Sequence, residues 1–287
     1  MPDCPMSVWL DWLIGFACAG LIAGLGYRKQ WLSGSGAIAA AMMGTIYYAA
    51  GSLLWFGLLI LFFISGSVLS RMKRERKRRM EQDYAKGSRR DAGQVFANGG
   101  LGMLLCLGNA IVPHEAWVLA FIGIMATVTA DTWATELGSL SRKPPRSVLN
   151  GRVLEPGASG GVSLRGTLAA AAGGIIIGGA AWLFSLLSSS GNPYTDLSSF
   201  TSIVYGAWIM VLAGLVGGLA GCFADSYLGA TVQLMHRCTV CGKIVETDMH
   251  HEQPTVYARG WRWMNNDMVN AVSSIIGGAV ALLFLVI

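Results

Sequence analysis

The segment SLLWFGLLILFFISGSVLS, Ser52–Ser70, contains 19 residues and no charged side chain. An apolar run of about 20 residues is long enough to cross a bilayer as an α-helix, which satisfies its own backbone hydrogen bonds. A second run of this kind covers Val269–Ile287. Neither run has the alternating polarity that a transmembrane β-strand requires. Both therefore predict membrane-spanning helices.

The composition extends this prediction to the whole chain. Of the 287 residues, 53% are hydrophobic and 13% are charged, whereas a soluble domain is about 25% charged. Gly, which is frequent in membrane helices, occurs 38 times. We therefore predict an all-α polytopic membrane helix bundle that forms a single membrane domain over residues 1–287. The first apolar segment lacks a preceding basic region, so it is predicted to be a retained helix rather than a signal peptide.

About eight spans are predicted from the apolar segments. They are Val8–Tyr27, Gly36–Ala50, Leu53–Ser70, Gly93–Val112, Ala116–Leu137, Gly166–Leu187, Ile203–Tyr227 and Asn266–Ile287. The second is short for a membrane span. With the third it is expected to form either a tight helical hairpin or a partly re-entrant pair.

The basic residues support a count of eight. They form four groups, which follow the first, third, fifth and seventh spans at Arg28–Lys29, Arg71–Arg90, Arg142–Arg165 and Arg237–Arg262. With eight spans all four groups face one side, which the positive-inside rule identifies as cytoplasmic. The informative loops on this side are 71–92, 139–165 and 236–265. We therefore expect a multi-pass protein of a prokaryotic cell membrane with its active site on the cytoplasmic side.

The basic run Arg71–Arg90 is the strongest charge cluster in the sequence. We interpret it as a topology determinant that also contacts anionic membrane lipids. Nucleic-acid binding is not expected, because no interleaved aromatic residues or recognition fold accompany the charge.

Acidic residues are conspicuous in the apolar spans. Asp131 and Glu136 occur in ADTWATELG, Ala130–Gly138, and Asp225 occurs in ADSYLGATVQ, Ala224–Gln233. The two segments predict a weak internal repeat of parallel orientation. An Asp in a membrane is costly unless it is paired, hydrated or bound to a cation, so the two aspartates are predicted to converge on one Mg²⁺. Oxygen ligands or phosphate contacts are also expected from Thr132, Thr135 and Ser226. The alternative is that the acids only cap or solvate helix ends.

A glycine-rich loop, GASGGVS at Gly157–Ser163, precedes the sixth span. Backbone N–H groups before a helix N-terminus favour phosphate binding, although the Gly-Lys-Ser/Thr ending of a Walker motif is missing. The candidate phosphate contacts are Gly157, Ser159, Gly160, Gly161 and Ser163, with added charge from Arg142 and Lys143. An ordinary flexible loop is the alternative interpretation.

Amide side chains mark the entry to two spans. Asn98 lies in QVFANGG, Gln94–Gly100, and the last span begins with Asn265, Asn266, Asp267 and Asn270. Asn266 and Asn270 share a helical face, which suits a cleft that binds a cation or a nucleotide. N-capping by Asn265 or Asn266 is the simpler alternative. Gln233, which ends ADSYLGATVQ, is a further candidate nucleotide contact.

A Cys-x-x-Cys pair, Cys238 and Cys241, is followed by His250 and His251. This combination is typical of zinc sites, and a cytosolic loop keeps thiols reduced. Adjacent histidines rarely bind one ion together without strain, so a loose loop or a redox pair remains an alternative. A bound Zn²⁺ would be structural.

These motifs, together with NNDMVN near the last span, occur in the order typical of one family. Over nearly its whole length the chain resembles the integral membrane proteins that include the plant phytyl-phosphate kinase of tocopherol synthesis. The resemblance implies phosphorylation of a prenyl monophosphate lipid to the diphosphate, with Mg²⁺ and a nucleoside triphosphate such as CTP. Asp131 and Asp225 would then bind Mg²⁺, and Glu136 or Asp267 would orient the acceptor. Family members often carry His-x-Cys after the Cys pair, where this chain has His250-His251-Glu252.

Two other functions fit the same pattern. An ion-coupled transporter also carries acids in its helices, but near the bilayer midplane and with routes to both faces. A nucleotidyl transferase that forms a CDP-lipid would use a similar metal site. The position of the acids within the bundle distinguishes the transporter from the two enzymes.

Overall fold

The computed structural model describes residues 5–72, 89–188 and 200–286. Within these ranges the chain forms eight α-helices. They are α1 Pro5–Arg28, α2 Gly34–Ala49, α3 Leu53–Arg71, α4 Ala92–Ile111, α5 Glu115–Gly138, α6 Leu164–Leu187, α7 Phe200–Thr231 and α8 Asn266–Ala281. A 3-10 turn, Leu282–Leu285, follows α8. The predicted polytopic helix bundle is thereby confirmed, although α7 extends one turn beyond the predicted end at Tyr227.

Seven of the described helices are long and apolar enough to cross a membrane. The exception is α2, whose 16 residues give a length of about 24 Å. It lies antiparallel to α3, because the residues before α2 and the last residue of α3 meet: Arg71 Nη2 donates a hydrogen bond to Lys29 O. The two helices therefore form the helical hairpin that was one of the two expected arrangements.

The basic groups that flank the helices lie at one end of the bundle, which we call the basic end. Arg90 N donates to Trp31 O at 3.0 Å, which joins the start of α4 to the end of α1. Ser70 Oγ donates to Glu136 Oε1 at 2.6 Å, which joins the ends of α3 and α5. The prediction that the basic groups share one side of the bundle is consistent with these contacts; of the eight described helices, seven qualify as membrane spans by length and hydropathy. Residues 73–88, which contain most of the predicted lipid-contacting cluster, lie outside the described residues.

Helix α5 is the centre of the bundle and packs against α6, α7 and α8. Every residue from Phe121 to Ala130 is buried. Small residues allow the helix backbones to approach closely: a Cβ atom at Gly277 of α8 would overlap Thr127 Oγ1 and lie 2.7 Å from Gly217 O. Trp55 of α3 stacks on Phe121 with ring centroids 4.4 Å apart, which joins the first helices to this core.

At the basic end, the described residues form seven short strands in segments that the sequence predicted to be loops. β1 Arg146–Ser147 pairs with β2 Gly161–Val162. A second group, which we call the β-cap, covers residues 235–259. It contains β3 Met235–Arg237, β4 Ile244–Val245, β5 Met249–His250, β6 Gln253–Pro254 and β7 Val256–Arg259. β3 lies between β4 and β7, and β5 pairs with β6.

Candidate functional site

A cleft of about 430 Å³ opens at the basic end of the bundle. It brings together all four predicted carboxylates and every predicted nucleotide or phosphate contact except Arg142. Arg142 is exposed in the turn that follows α5, whereas its neighbour Lys143 lines the cleft. The prediction that Arg142 belongs to the site is therefore not supported by its position, because the turn directs it away.

Asp131 and Asp225 face this cleft from parallel helices. Close contacts between α5 and α7 determine where the two aspartates lie along the bundle. A Cβ atom at Gly218 would lie 3.2 Å from Ala126 Cβ, and Ala130 and Cys222 share a buried cluster. Asp131 directly follows Ala130, and Asp225 lies three residues after Cys222. The two carboxylates interact electrostatically. The parallel orientation predicted for the two segments is thereby confirmed.

Asp225 lies deeper in its helix than predicted. Asp131 is seven residues before the end of α5 and Asp225 is six residues before the end of α7, which corresponds to about 10 Å along each helix. The sequence had placed Asp225 near the helix end because α7 was expected to stop at Tyr227, whereas the end of α5 differs by one residue from its predicted position. A carboxylate in the last turns of a helix is opposed by the helix dipole, so helix capping does not explain either residue.

Hydroxyl groups hold two of the cleft carboxylates. Ser273 Oγ of α8 donates to Asp225 Oδ2 at 3.3 Å, and Ser70 Oγ donates to Glu136 Oε1 at 2.6 Å. Asp267, Thr132, Thr135 and Ser226 line the same cleft. The site thus offers oxygen atoms of the kind that Mg²⁺ binds together with water and phosphate.

The glycine loop is an ordered wall of the cleft. Its last residue, Ser163, caps α6 by accepting a hydrogen bond from Gly166 N at 3.1 Å. Gly160 has φ +81°, and a Cβ atom there would overlap Ala230 and lie 3.0 Å from Ser226 O. Only glycine fits at this position, so the loop packs closely against the end of α7.

A chain of polar side chains joins this loop to the β-cap. Ser159 Oγ donates to Gln233 Oε1 at 2.8 Å, and Gln233 Nε2 donates to Glu246 Oε1 at 3.0 Å. Gln233 is only 2% exposed. Glu246, which the sequence analysis missed, thereby joins the carboxylates of the cleft.

Replacing Gln233 by Leu should separate the glycine loop from the β-cap. The half-buried Ser159 hydroxyl and Glu246 carboxylate would each lose a hydrogen bond to Gln233, and such a bond contributes about 0.5–1.5 kcal/mol. We expect a lower melting temperature, measured by thermal shift. The matched control is Gln253→Leu in the exposed hairpin β5–β6, and equal effects of the two changes would contradict the expectation.

The amide side chains at the start of α8 all reach the cleft. Asn265 caps α8 by accepting a hydrogen bond from Met268 N at 3.0 Å, which confirms the simpler alternative for this residue. Asn265, Asn266 and Asn270 each line the cleft. Asn98 Nδ2 donates to Gln94 O at 2.7 Å, and both residues lie where the cleft meets a second, apolar cavity.

Arg90 is the second cleft residue that the sequence analysis missed. Its Nη1 donates to Ser67 Oγ at 2.8 Å, and its guanidinium lies 5.5 Å from the Phe62 ring centroid. Burial lowers the pKa of Arg90 to about 10, while the Glu136 carboxylate opposes this shift. Arg90 therefore remains a cation at neutral pH, placed between the cleft and the apolar cavity.

The cysteine and histidine residues lie together in the β-cap. The candidate ligand atoms of Cys238, Cys241, His250 and His251 are all within 4.8 Å of one another. The pKa of the Cys238 thiol is lowered to about 6, chiefly because its sulfur accepts a hydrogen bond from the backbone of Cys241. The loose-loop alternative is inconsistent with this arrangement.

Fold and cleft together define a multi-pass helical membrane protein with one polar cleft at the basic end. Residues 17–278 match the integral membrane protein family DUF92, and the chain belongs to this family. The resemblance inferred from the motifs is thereby confirmed.

Three relatives cover most of the chain. It is 33% identical to Protein PGR of Arabidopsis thaliana over 79% of this chain and 81% of that protein. It is 29% identical to an uncharacterized membrane protein of Methanocaldococcus jannaschii, over 89% and 87% of the two chains. It is 24% identical to the chloroplastic Protein VTE6 of Arabidopsis thaliana, over 88% of this chain and 65% of that protein. No solved structure matches the chain significantly.

Proposed function

We propose that the protein is a membrane kinase that transfers a phosphoryl group from a nucleoside triphosphate, CTP or another, to a prenyl monophosphate lipid. One observation carries the proposal: the polar cleft adjoins an apolar cavity between α1, α2, α3 and α4. The two spaces share Arg90, Gln94 and Asn98. A substrate with an apolar tail and a phosphate head needs this combination, because the tail stays in an apolar environment while the phosphate reaches a polar one.

The apolar cavity measures about 50 Å³ and is lined by residues such as Ala19, Ala40, Met43 and Phe63. This space suits the first carbons of a prenyl tail, with the rest of the tail among the lipids around the bundle. The Arg90 guanidinium at the junction would pair with the lipid phosphate, since hydrogen bonds between Arg and phosphate are charge-assisted and often bidentate.

The nucleotide phosphates would bind on the opposite wall. The N-terminus of α6 and the glycine loop face the cleft, and Lys143 adds a positive charge; helix N-termini favour bound phosphate. The carboxylates of Asp131 and Asp225 are suitable ligands for Mg²⁺, which would neutralise charge on the polyphosphate.

The proposed reaction follows from these positions. An oxygen of the prenyl phosphate forms a bond to the γ-phosphorus, the bond from that phosphorus to the β–γ bridging oxygen breaks, and the nucleoside diphosphate leaves. The acceptor phosphate is already ionised, so the site needs no strong base. Phosphoryl transfer depends mainly on positioning and on charge stabilisation. Glu136 or Asp267 would orient the acceptor.

The packing beneath the aspartates favours an enzyme over a transporter. The segment of α5 from Phe121 to Ala130 is entirely buried. At the level of Thr127, Cβ atoms added at Gly221 or Gly277 would overlap the threonine side chain. Alternating access requires a route to the second face of the membrane, and this close-packed layer fills the bundle on that side of the acids.

Membership of the family further supports the proposal, because the motifs of the cleft are those through which the chain resembles the phytyl-phosphate kinase. The relatives come from a plant and an archaeon, so the substrate is proposed only as a class of prenyl monophosphates.

The direct test uses the full chain purified in detergent. Prenyl monophosphates of several tail lengths are incubated with each of the four γ-³²P-labelled nucleoside triphosphates and Mg²⁺, and the lipid products are separated by chromatography. The proposal predicts a labelled prenyl diphosphate and an equimolar nucleoside diphosphate. Labelled pyrophosphate together with an unlabelled CDP-lipid would identify a nucleotidyl transferase instead, because the γ-phosphate then leaves with the pyrophosphate. Absence of lipid product from the whole panel would contradict the kinase.

Replacing Ala40 by Leu should fill the apolar cavity without touching the nucleotide wall. We expect the KM for the prenyl phosphate to rise about tenfold, which corresponds to ~1.4 kcal/mol, while the KM for the nucleotide stays unchanged. Steady-state kinetics with each substrate varied separately measure the two constants. A proportional change in both constants would contradict a tail-binding role for this cavity.

A further inference from the structure

Four possible metal ligands meet on one side of the β-cap. Cys238 and Cys241 belong to the turn between β3 and β4, whereas His250 is the last residue of β5 and His251 begins the turn to β6. Their candidate donor atoms all lie within 4.8 Å of one another. Two segments that are separate in sequence thus present two donors each to the same point.

The distance between Cys241 and His250 in this cluster fits a tetrahedral ion. Zinc bonds of about 2.3 Å to sulfur and 2.0–2.1 Å to nitrogen place these two ligand atoms about 3.6 Å apart in a tetrahedron. The distance from Cys241 Sγ to His250 Nδ1 is 3.7 Å. Cys238 Sγ also accepts hydrogen bonds from the backbone N of Val240 at 3.3 Å and of Cys241 at 3.4 Å. These bonds favour the thiolate, which is the form that binds metal.

The backbone removes the objection to adjacent histidine ligands. His251 and Glu252 have φ values of +55° and +60°, a left-handed conformation that costs energy in residues other than glycine. This turn brings the two imidazole rings to 4.3 Å between centroids, inclined at 76°. Both rings thereby reach the cysteine pair, and metal coordination would compensate for the strained backbone.

We propose that Cys238, Cys241, His250 and His251 bind one structural Zn²⁺, which fixes the segment carrying Glu246 against the cleft. Glu246 lies between the two ligand pairs, five residues after Cys241 and four before His250. An ion that holds both ends restricts the whole segment 242–249. Glu246 then keeps its hydrogen bond to Gln233, which in turn contacts Ser159 of the glycine loop.

This proposal goes beyond the proposed kinase activity, and its test does not require that activity. The full chain is purified in detergent without added chelator, and zinc per chain is measured by mass spectrometry. We expect about one Zn²⁺ per chain in the wild type. Because each ligand contributes directly to the tetrahedral site, Cys238→Ser and His251→Ala should each retain about tenfold less zinc. Cys18→Ser, which changes a thiol in α1, should retain the wild-type amount.

The role of the ion is tested by hydrogen exchange on the wild-type chain before and after a high-affinity zinc chelator. Residues 242–249 should exchange faster after zinc removal, while α5 and α7 keep their protection; restored zinc should reverse the change. Because this experiment uses only the wild-type chain, its outcome does not depend on the folding of a variant. A zinc content of the wild-type chain no higher than background, or an equal zinc content in the wild type and in Cys238→Ser, would overturn the proposed zinc site. Unchanged exchange of 242–249 after zinc removal would overturn its role in holding Glu246.

Discussion

Asp131→Asn should lower kcat for prenyl diphosphate formation about 1,000-fold, or ~4 kcal/mol of transition-state stabilisation. The change keeps the shape of the side chain and removes the negative charge that would hold Mg²⁺. Asp225→Asn should have a similar effect, because its carboxylate faces the same cleft at the same level. The measurement is steady-state phosphoryl transfer with saturating nucleotide and lipid.

The matched control is Asp11→Asn, which changes an exposed acid of α1 outside the cleft. Activity within twofold of the wild type is expected there, because surface changes away from a site have small effects. All three variants should keep the wild-type melting temperature within a few degrees. Full activity in Asp131→Asn or Asp225→Asn would remove that residue from the proposed metal site.

Gly277→Ala should strongly destabilise the bundle. The added methyl group would overlap Thr127 Oγ1 and lie 2.7 Å from Gly217 O and 3.2 Å from Gly123 O. Three rigid partners on two other helices leave no room for adjustment, and overpacking of this kind costs about 3 kcal/mol. We expect the melting temperature in detergent to fall by roughly 10 °C. Since α8 carries Asn270 into the cleft, activity should fall as well.

Gly179→Ala is the matched control, because it makes the same glycine-to-alanine change within another long helix, α6. A Cβ atom there meets nothing within 4 Å, so Gly179→Ala should be neutral or stabilising by up to about 1 kcal/mol. A melting temperature for Gly277→Ala equal to that of Gly179→Ala would contradict the packing assigned to α5, α7 and α8.

The helices could be predicted because a bilayer imposes simple requirements on the sequence. Runs such as Ser52–Ser70 must stay apolar to cross the membrane, and the basic groups mark one side after every second passage. The end of α7 lies four residues beyond its predicted position. Its last turn, up to Thr231, is stabilised by contact with the glycine loop, and such a tertiary contact leaves little trace in local hydropathy.

Most of the cleft could also be predicted, because an acid in an apolar helix is conspicuous. Asp131 and Asp225 were selected for that reason and do line one cavity. Glu246 was missed because it enters the cleft through the folding of the β-cap, and its local sequence, KIVETD, contains no periodic signal. Its partner Gln233 is 13 residues away.

Arg90 could not be identified from the sequence for a different reason. The run Arg71–Arg90 contains ten Lys and Arg residues, and the sequence does not distinguish the one that turns inward. Its distinguishing contacts are with Ser67 and Phe62 of α3, more than 20 residues earlier in the chain. The proposed zinc ligands could be predicted in part. Their spacing in the sequence was informative, but the left-handed backbone at His251 was not predictable.

The central claim concerns one divalent cation held between α5 and α7, and Mn²⁺ binding measures it directly. Mn²⁺ prefers the oxygen ligands that suit Mg²⁺ and binds weakly to sites of thiolate and imidazole, so the β-cap should not interfere. Titration of the full chain followed by electron paramagnetic resonance should give one tightly bound Mn²⁺ per chain in the wild type and in Asp11→Asn. Asp131→Asn and Asp225→Asn should each lose it. Wild-type Mn²⁺ binding in both of these variants would contradict the account.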